Sequence, residues 1–259
     1  MRTELNAAMA AAAPGISAAN ELCVTCVGLF GIDGAAVSMV YEGASRGTFG
    51  ASSETGRRLD EYQFTFGEGP CLDAVEAREM VLAPDLDSPR EQRWPLFADA
   101  VLDDGIRGVF AFPVMITSAC VGALDLFRAE PGPLSPDQIS GAMLAAELAS
   151  KPLLDLVAGA GHPDLDELGG AGAGAGAGSG DLAEVNRIEV YQATGMLIAQ
   201  LDVDAAEALV RLRAHAMATG QTAIEVALAI VQRRLVLDRD DHDDHDDEGD
   251  DGGPARRLS

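Results

Sequence analysis

The sequence predicts an α+β protein in which an antiparallel sheet with flanking helices precedes a small three-helix bundle. Two apolar segments, Val109–Ile116 and Cys120–Phe127, are separated by three residues and predict a β-hairpin. A glycine–alanine tract over residues 169–180 cannot build a core and predicts a flexible linker. Beyond it, apolar residues recur at i, i+3, i+4 and i+7 in two segments, which indicates amphipathic helices.

The elements of the first domain alternate between strands and helices. Strands are predicted over Ala36–Glu42 and Tyr62–Phe66, in addition to the hairpin. Helices are predicted to open at Pro70 and to cover Trp94–Leu102. Ser135 followed by proline and aspartate is typical of a helix start, and this closing helix should run to about residue 157.

The C-terminal bundle is predicted to contain three helices joined by short turns. The first should cover Leu182–Leu201, and Gly220 and Thr222 should cap the ends of the second and third. The apolar faces of the second and third helices are formed by Ala205, Ala208, Leu209, Leu212 and Ala216, and by Ile224, Ala227, Leu228, Val231 and Leu235.

Charge is distributed unevenly along a chain whose formal net charge is −24. Residues 1–168 carry 25 acidic and 10 basic side chains, residues 181–237 carry 7 and 5, and residues 238–251 carry 10 acids. An acidic protein can bind nucleic acid only through a local basic face. The sequence also contains no apolar run of about 18 residues, so we expect a cytoplasmic protein that does not bind a membrane.

These changes in composition divide the chain into five parts. We expect an N-terminal extension (1–16), a sensory domain (17–158), a flexible linker (159–180), a helical domain (181–237) and an acidic disordered tail (238–259).

The residue pattern gives little support for a catalytic site or a metal site. Cys23 and Cys26 form a CxxC pair, but no second pair of ligands lies nearby, so we expect both to be small core residues. The tail places His242 and His245 among carboxylates, yet a disordered tail offers no fixed geometry, and no metal site is predicted. All four histidines stand at or after His162, which excludes a Ser–His or Cys–His pair in the first domain. We therefore expect no enzyme.

The segment from Arg187 to Leu197, followed by Ala206–Arg213, resembles the start of an ANTAR domain, the three-helix RNA-binding module of bacterial antiterminators. The resemblance implies a dimer that binds paired hairpin loops in nascent RNA. Arg211 and Arg213 lie about 200° apart on an ideal helix and cannot share one narrow face. The resemblance implies a set of RNA-binding residues that includes arginines, which supply positive charge. These residues are Arg187, Tyr191, Gln192, Ala193, Thr194, Gly195, Arg211 and Arg213.

Roughly residues 17–158 resemble a GAF domain. The string from Gly67 to Ala74 (GEGPCLDA), the pair Trp94-Pro95 and the strand ending Gly122–Leu126 carry this resemblance, and the first is typical of GAF domains that precede ANTAR domains in actinobacterial proteins. The family implies a sensory or dimerising module with a pocket over the sheet. The implied ligand-binding residues are Gly67, Glu68, Gly69 and Cys71.

Two interpretations of Cys71 remain open. It could be the attachment point of a tetrapyrrole, or a buried residue in a glycine turn that leads into a proline-initiated helix. The second is favoured, and the sequence names no cofactor.

The function predicted from these resemblances is a homodimeric regulator of transcription antitermination, with a small-molecule ligand in the GAF domain and RNA on the ANTAR domain. Thr194 stands where many ANTAR sequences carry a basic residue, which keeps an alternative open. In that alternative the protein is a non-enzymatic dimerisation or interaction module that does not bind RNA. A third alternative is a light or redox sensor that uses Cys71. The acidic tail is predicted to cover the basic RNA-binding surface.

Overall fold

The computed structural model describes residues 1–41, 44–159 and 187–237 of the 259-residue chain. Residues 160–180 of the expected linker and the expected tail at 238–259 lie outside the described residues. The described ranges form a mixed α+β domain and a C-terminal helical bundle, and the predicted fold class is therefore confirmed.

The N-terminal domain is built on an antiparallel five-stranded sheet. Its strands are β1 (Gly34–Tyr41), β2 (Ala44–Ala51), β3 (Val81–Ala83), β4 (Gly108–Ile116) and β5 (Ala119–Arg128). Their order across the sheet is β2-β1-β5-β4-β3. The predicted hairpin is confirmed as β4 and β5, which pair from Gly108 with Arg128 to Ile116 with Ala119. Sequence analysis missed β2 and β3, because one is rich in glycine and the other has only three residues.

Helices cover both faces of this sheet. They are α1 (Arg2–Ala11), α2 (Ile16–Phe30), α3 (Glu54–Phe66), α4 (Pro70–Ala77), α5 (Pro95–Asp103) and α6 (Pro136–Gly159). The first core lies between one face and α1, α2 and α6, and the second lies between the opposite face and α3 and α5. Residues 1–16, expected as an extension, contribute α1, whose Leu5 and Met9 are buried in the first core.

Alternation along the strands decides which side chains enter each core. In β1, Ala35 and Val37 face the first core, whereas Ala36 and Ser38 point to the other face. In β5, Asp125 is paired with Ala36 and shares that second face. A carboxylate and a hydroxyl are thus placed beneath α3 and α4.

The strand predicted at Tyr62–Phe66 is wrong, because these residues form the last turns of α3. The Ser53 hydroxyl caps the start of this helix by accepting a hydrogen bond from the Gly56 amide, and Gly67 ends it with φ of 69°. The aromatic run suggested a strand because five residues are too few to distinguish a strand from a buried helical face.

The other predicted helices of the domain are confirmed. The α4 helix begins at Pro70, and α5 begins at Pro95 after Trp94. At the start of α6, the Ser135 hydroxyl accepts from the Gln138 amide, and the Gln138 side chain accepts from the Ser135 amide.

The C-terminal bundle, named here as residues 187–237, contains α7 (Ile188–Leu201), α8 (Ala205–Thr219) and α9 (Ala223–Val231). Its core includes Leu197, Leu212 and Ile230, which are almost completely buried. The predicted caps are confirmed: Gly220 ends α8 with φ of 64°, and Thr222 forms a capping box with Glu225.

Cys23 and Cys26 are fully buried in the first core, as expected for small packing residues. Among the described residues, no single helix combines the length and apolarity needed to cross a membrane, although α8 and α9 together, bent by 111°, meet that test by length and composition.

Candidate nucleic-acid interface

The exposed part of the candidate RNA surface lies on the first turns of α7. Tyr191 is 45% exposed, and Gln192 and Gly195 are also exposed. Thr194 is half-buried, and its hydroxyl donates to the Val190 carbonyl at 2.7 Å. An aromatic ring and an amide therefore face solvent side by side, where they can stack on a base and pair with its edge.

Ala193 does not share this exposure. Its methyl group is fully buried in the core of the bundle, where it lets the helices approach each other. A direct contact between this side chain and RNA would require the bundle to open. Its role in the described structure is helix packing.

The arginines of α8 point in different directions, as their angular separation requires. Arg211 lies 30% exposed and donates to Glu207 one turn earlier at 2.7 Å. Arg213 turns toward the N-terminal domain, where its guanidinium stacks 4.4 Å from the centre of the Phe64 ring. The structure therefore does not bring these two arginines together on one surface.

Among the predicted RNA contacts with polar side chains, Arg187 is the most buried, at 4% exposure. It precedes α7 in the left-handed conformation, with φ of 47°, so a single straight helix does not pass through it. Its Nη2 donates to Asp60 Oδ2 at 2.7 Å and to the Asp60 carbonyl at 3.4 Å. Arg187 is thus joined to α3 by a buried ion pair.

Helix α3 supplies the other half of this contact. Asp60 also accepts from the Thr48 hydroxyl at 2.8 Å. The Phe64 ring packs against the Arg187 guanidinium at 4.2 Å, in addition to its contact with Arg213. The Thr65 hydroxyl accepts from the Ala223 amide, at the first residue of α9, at 2.9 Å. A carboxylate, an aromatic ring and a hydroxyl on α3 therefore bind the start of α7, the middle of α8 and the start of α9.

Burial at this contact shifts the pKa values of the charged groups that enclose it. Burial lowers the pKa of Arg213, and the neighbouring charge of Arg187 lowers it further. Burial raises the pKa of Glu61 on α3, while the Thr222 hydroxyl and Arg187 oppose that rise. Both shifts disfavour the charged forms of these partly buried groups.

The predicted ligand loop at Gly67–Cys71 forms a tight structural turn. Gly67 ends α3, and the Glu68 carboxylate accepts from the amides of Leu96 and Phe97 at 2.7 and 3.0 Å, capping α5. Gly69 has φ of 145°, and a Cβ there would lie 2.5 Å from Gln63 Oε1. These contacts give Gly67, Glu68 and Gly69 structural roles in the N-terminal domain.

Cys71 is fully buried at the beginning of α4. Burial raises the pKa of its thiol well above the ordinary value, and the charges of Asp125 and Asp60 raise it further. The thiol is therefore protonated and shielded, which agrees with the interpretation of a buried cysteine after a glycine turn.

Buried polar side chains lie between this loop and the C-terminal bundle. Gln63 Oε1 accepts from the Cys71 amide at 2.7 Å, while its Nε2 donates to Asp125 at 3.1 Å. Burial raises the pKa of Asp125 to about 7, the charge of Asp60 adds to the rise, and Gln63 opposes it. Because Asp60 binds Arg187, the loop and the bundle are separated by only a few polar side chains.

A cleft of about 760 Å³ opens beside the loop. Gly67, Glu68 and Cys120 line it, together with Arg78 and Arg93. Cys71 and Gly69 lie behind this surface, so the structure brings only two of the four predicted ligand residues to the cleft wall. Within the described ranges, no group of three or more histidine, cysteine or acidic side chains has the arrangement of a metal site.

Residues 183–231 match the family model of the ANTAR domain. The matched range contains all eight predicted RNA-binding residues and ends at the last residue of α9. No curated protein matches the sequence.

Solved structures similar to the chain include two GAF domains from phosphoenolpyruvate-protein phosphotransferases. The Acinetobacter domain shares 11% identity, with 61% of this chain and 92% of that chain covered and a TM-score of 0.48. The domain from Coxiella burnetii shares 17% identity, with 61% and 98% covered and a TM-score of 0.44.

Sequence analysis missed the α3 residues that contact the ANTAR-matching helices, namely Asp60, Phe64 and Thr65. Predicting a strand over Tyr62–Phe66 placed Phe64 and Thr65 on opposite faces of a sheet and left Asp60 outside the element, so the three could not form one surface. The signals that could have corrected this are Ser53 and Gly67, which have the residue types expected at the two ends of a helix.

Proposed function

We propose that this protein is a regulator of transcription antitermination, in which the ANTAR-matching helices bind paired hairpin loops of nascent RNA. The match of residues 183–231 carries this proposal, because it covers a bundle whose three helices and core are all present. The proposed RNA-binding residues remain Arg187, Tyr191, Gln192, Ala193, Thr194, Gly195, Arg211 and Arg213, with Ala193 acting through packing. A nascent RNA target places this function in the cytoplasm, and no catalytic activity is proposed.

The N-terminal domain is the proposed sensor, with the role of a GAF domain. The cleft beside Gly67 and Glu68 supports this proposal, because its size suits a small-molecule ligand and Arg78 and Arg93 add positive charge to its wall. A ligand that moved the loop would act directly on Gln63 and so on α3.

We also propose that the protein acts as a homodimer. Val210 and Met217 are 62% and 39% exposed and lie two turns apart on the same side of α8, which gives this helix an apolar face for a second copy. Light scattering of the full chain should then give the mass of a dimer, and Val210→Asp should give that of a monomer.

The test of the proposed function is a titration of the full chain with an RNA that contains two hairpins, at about 50 and about 200 mM salt. Binding should weaken at the higher concentration because phosphate contacts release counterions. Arg211→Ala should weaken binding about threefold to tenfold. Arg2→Ala is the matched control, since Arg2 is also an exposed arginine paired with a glutamate, Glu147, and lies on α1.

A second candidate function is an interaction module that binds no RNA. The specific observation in its favour is that residues 187–237 carry five acidic and five arginine side chains, and that Arg187 and Arg213 already contact α3. The absence of salt-sensitive binding in the wild type and in variants that release the bundle from α3 would favour this candidate.

A further inference from the structure

Two guanidinium groups that are proposed to bind RNA pack against the Phe64 ring. Arg187 and Arg213 stack at 4.2 and 4.4 Å from its centre. Asp60 lies one helical turn before Phe64, on the same side of α3, and binds the Arg187 guanidinium at 2.7 Å. In one turn, α3 therefore presents a carboxylate and a flat aromatic ring to the same pair of arginines.

This combination has the chemistry of a nucleotide. Proteins bind RNA phosphates through charge-assisted hydrogen bonds from arginine, and they stack unpaired bases on arginine guanidinium planes. Asp60 occupies the place of the phosphate, and Phe64 occupies the place of the base. While α3 holds Arg187, which is 4% exposed, an RNA phosphate cannot reach it.

We infer that α3 is an internal mimic of RNA, and that the contact of Asp60 and Phe64 with Arg187 and Arg213 holds the protein in an autoinhibited state. This inference rests on the proposed RNA-binding function of residues 187–237. RNA and α3 compete for the same two arginines, so affinity for RNA is set by how easily the bundle leaves α3.

The contact between α3 and the bundle is suited to reversible opening. The bundle has its own buried core, and among the described residues Phe64 is the one side chain of the N-terminal domain that enters this core. Opening therefore leaves the cores of both domains in place. Besides Phe64, two polar contacts hold the closed state: the buried ion pair and the hydrogen bond from the Ala223 amide to Thr65.

Asp60→Asn tests this arrangement in the full chain. It retains the shape of the side chain and the contact with Thr48, but it removes the negative charge that pairs with the buried Arg187 guanidinium, which disfavours the closed state. Thr65→Val is a second variant of similar shape that removes the acceptor of the Ala223 amide. Asp104→Asn is the matched control, because Asp104 also binds an arginine of α3, Arg58, but on a surface away from the bundle.

Two measurements are made on each protein. Hydrogen–deuterium exchange of the first turn of α9 reports release in D60N, since the Ala223 amide loses its acceptor when the bundle leaves α3. In T65V, which removes this acceptor itself, exchange of the first turn of α7, next to Arg187, reports release. Titration with the two-hairpin RNA reports affinity. D60N and T65V should exchange faster and bind RNA about 5- to 150-fold more tightly than the wild type, the range of typical coupling between sites. D104N should match the wild type in both.

The results separate this inference from the function on which it rests. Faster exchange with unchanged affinity, in proteins that do bind RNA, would overturn the autoinhibition and leave the proposed function intact. Faster exchange with no RNA binding in any variant would overturn the function itself. Unchanged exchange in both D60N and T65V would show that these contacts do not hold the closed state, and the inference would then be wrong.

Thermodynamic linkage provides an independent test in the wild-type protein. If RNA and α3 compete, added RNA must open the contact by the same factor by which the contact weakens RNA binding. Saturating RNA should therefore speed exchange at the start of α9 and leave exchange in β4 and β5 unchanged. Slower exchange at α9 in the presence of RNA would contradict competition.

Discussion

Gly195 is a helical glycine at an exposed position in α7. Its φ angle is not positive, and a Cβ placed there would meet nothing within 4 Å. The fold therefore does not require a glycine, even though glycine inside a helix is less stable than alanine. An exposed backbone beside Tyr191 and Gln192 instead suits the close approach of a ligand.

We predict that Gly195→Ala raises the free energy of unfolding by about 0.5–1 kcal/mol and weakens RNA binding. Gly28→Ala is the control, because Gly28 is also an exposed helical glycine with nothing within 4 Å of a Cβ, and it lies on α2. It should stabilise by a similar amount without changing RNA affinity. Urea unfolding and the RNA titration measure the two effects, and equal RNA affinities for both variants would count against a contact at Gly195.

Asp125 is a carboxyl group buried beside Gln63, and burial raises its pKa to about 7. An unfolded aspartate has a pKa of about 4. Between these pH values the folded protein holds a proton that the unfolded chain has lost. The contribution of this group to stability is therefore fully present below about pH 4 and is lost as the pH rises to about 7.

Asp125→Asn should remove this pH dependence, since its amide oxygen can still accept from Gln63 and carries no charge. The free energy of unfolding of D125N relative to the wild type should rise by at most about 1.4 kcal/mol per pH unit up to about pH 7, and then become constant. Urea unfolding at about pH 5, 6, 7 and 8 tests this. Parallel profiles for the two proteins would mean that Asp125 is ionised in the folded state.

Strand β2 and helix α2 pack against each other through small residues. A Cβ at Gly50 would lie 2.6 Å from the Ala19 Cβ and 2.8 Å from the Ala19 carbonyl carbon. The backbone of α2 cannot move away easily, because Leu22 and Cys23 are buried on the same helix. The glycine-rich sequence of β2 thus allows this strand to lie beneath α2. The same glycines are the reason that sequence analysis missed the strand.

Gly50→Ala should lower the free energy of unfolding by about 1–3 kcal/mol, the usual effect of overpacking a tight contact. Gly28 lies on α2, the helix that Gly50 packs against. Gly28→Ala adds the same methyl group to open space and should not destabilise the protein. Thermal unfolding of the two variants gives the comparison. A G50A protein as stable as the wild type would show that β2 and α2 can separate without cost.

Helix α3 connects the two domains through different faces. One face carries Leu59 into the second core and Gln63 toward the ligand loop. Another carries Asp60 and Phe64 to the C-terminal bundle. A displacement of the loop that tilts α3 would therefore alter the contact with Arg187, which gives the proposed sensor a direct mechanical route to the proposed RNA surface.

At the scale of the whole molecule, charge opposes the binding of RNA. The formal net charge is −24, and ten of the acids lie at residues 238–251, shortly after Arg233 and Arg234. Both arginines are exposed at the end of the bundle. Long-range repulsion from the chain adds to the competition from α3, and salt screens only the first of these.

Replacing the acids of residues 238–251 with asparagine and glutamine should raise RNA affinity at about 50 mM salt and have less effect at about 200 mM. This variant retains the length of the chain and changes only its charge. Combining it with Asp60→Asn should give additive changes in binding free energy if the two effects are independent. An affinity that does not respond to the replacement at low salt would exclude the predicted covering of the basic surface by the tail.

Local sequence patterns were sufficient to predict most elements and the class of the fold. The β4–β5 hairpin, the proline-initiated helices and the caps at Gly220 and Thr222 depend on residues close together in the chain, so their physical causes can be recognised there. The resemblance of the C-terminal helices to an ANTAR domain is likewise carried by a short segment, and the family match covers it.

The environment of the candidate site was decided only by the tertiary structure. Arg187 and Asp60 are 127 positions apart, and no periodicity or motif near either residue indicates that they meet. Whether an arginine faces solvent or a buried carboxylate depends on how two domains pack, because the same side chain satisfies the amphipathic pattern in both cases. The sequence by itself determined which residues are candidates for binding RNA, whereas the packing of α3 against the bundle decided which of these candidates are exposed.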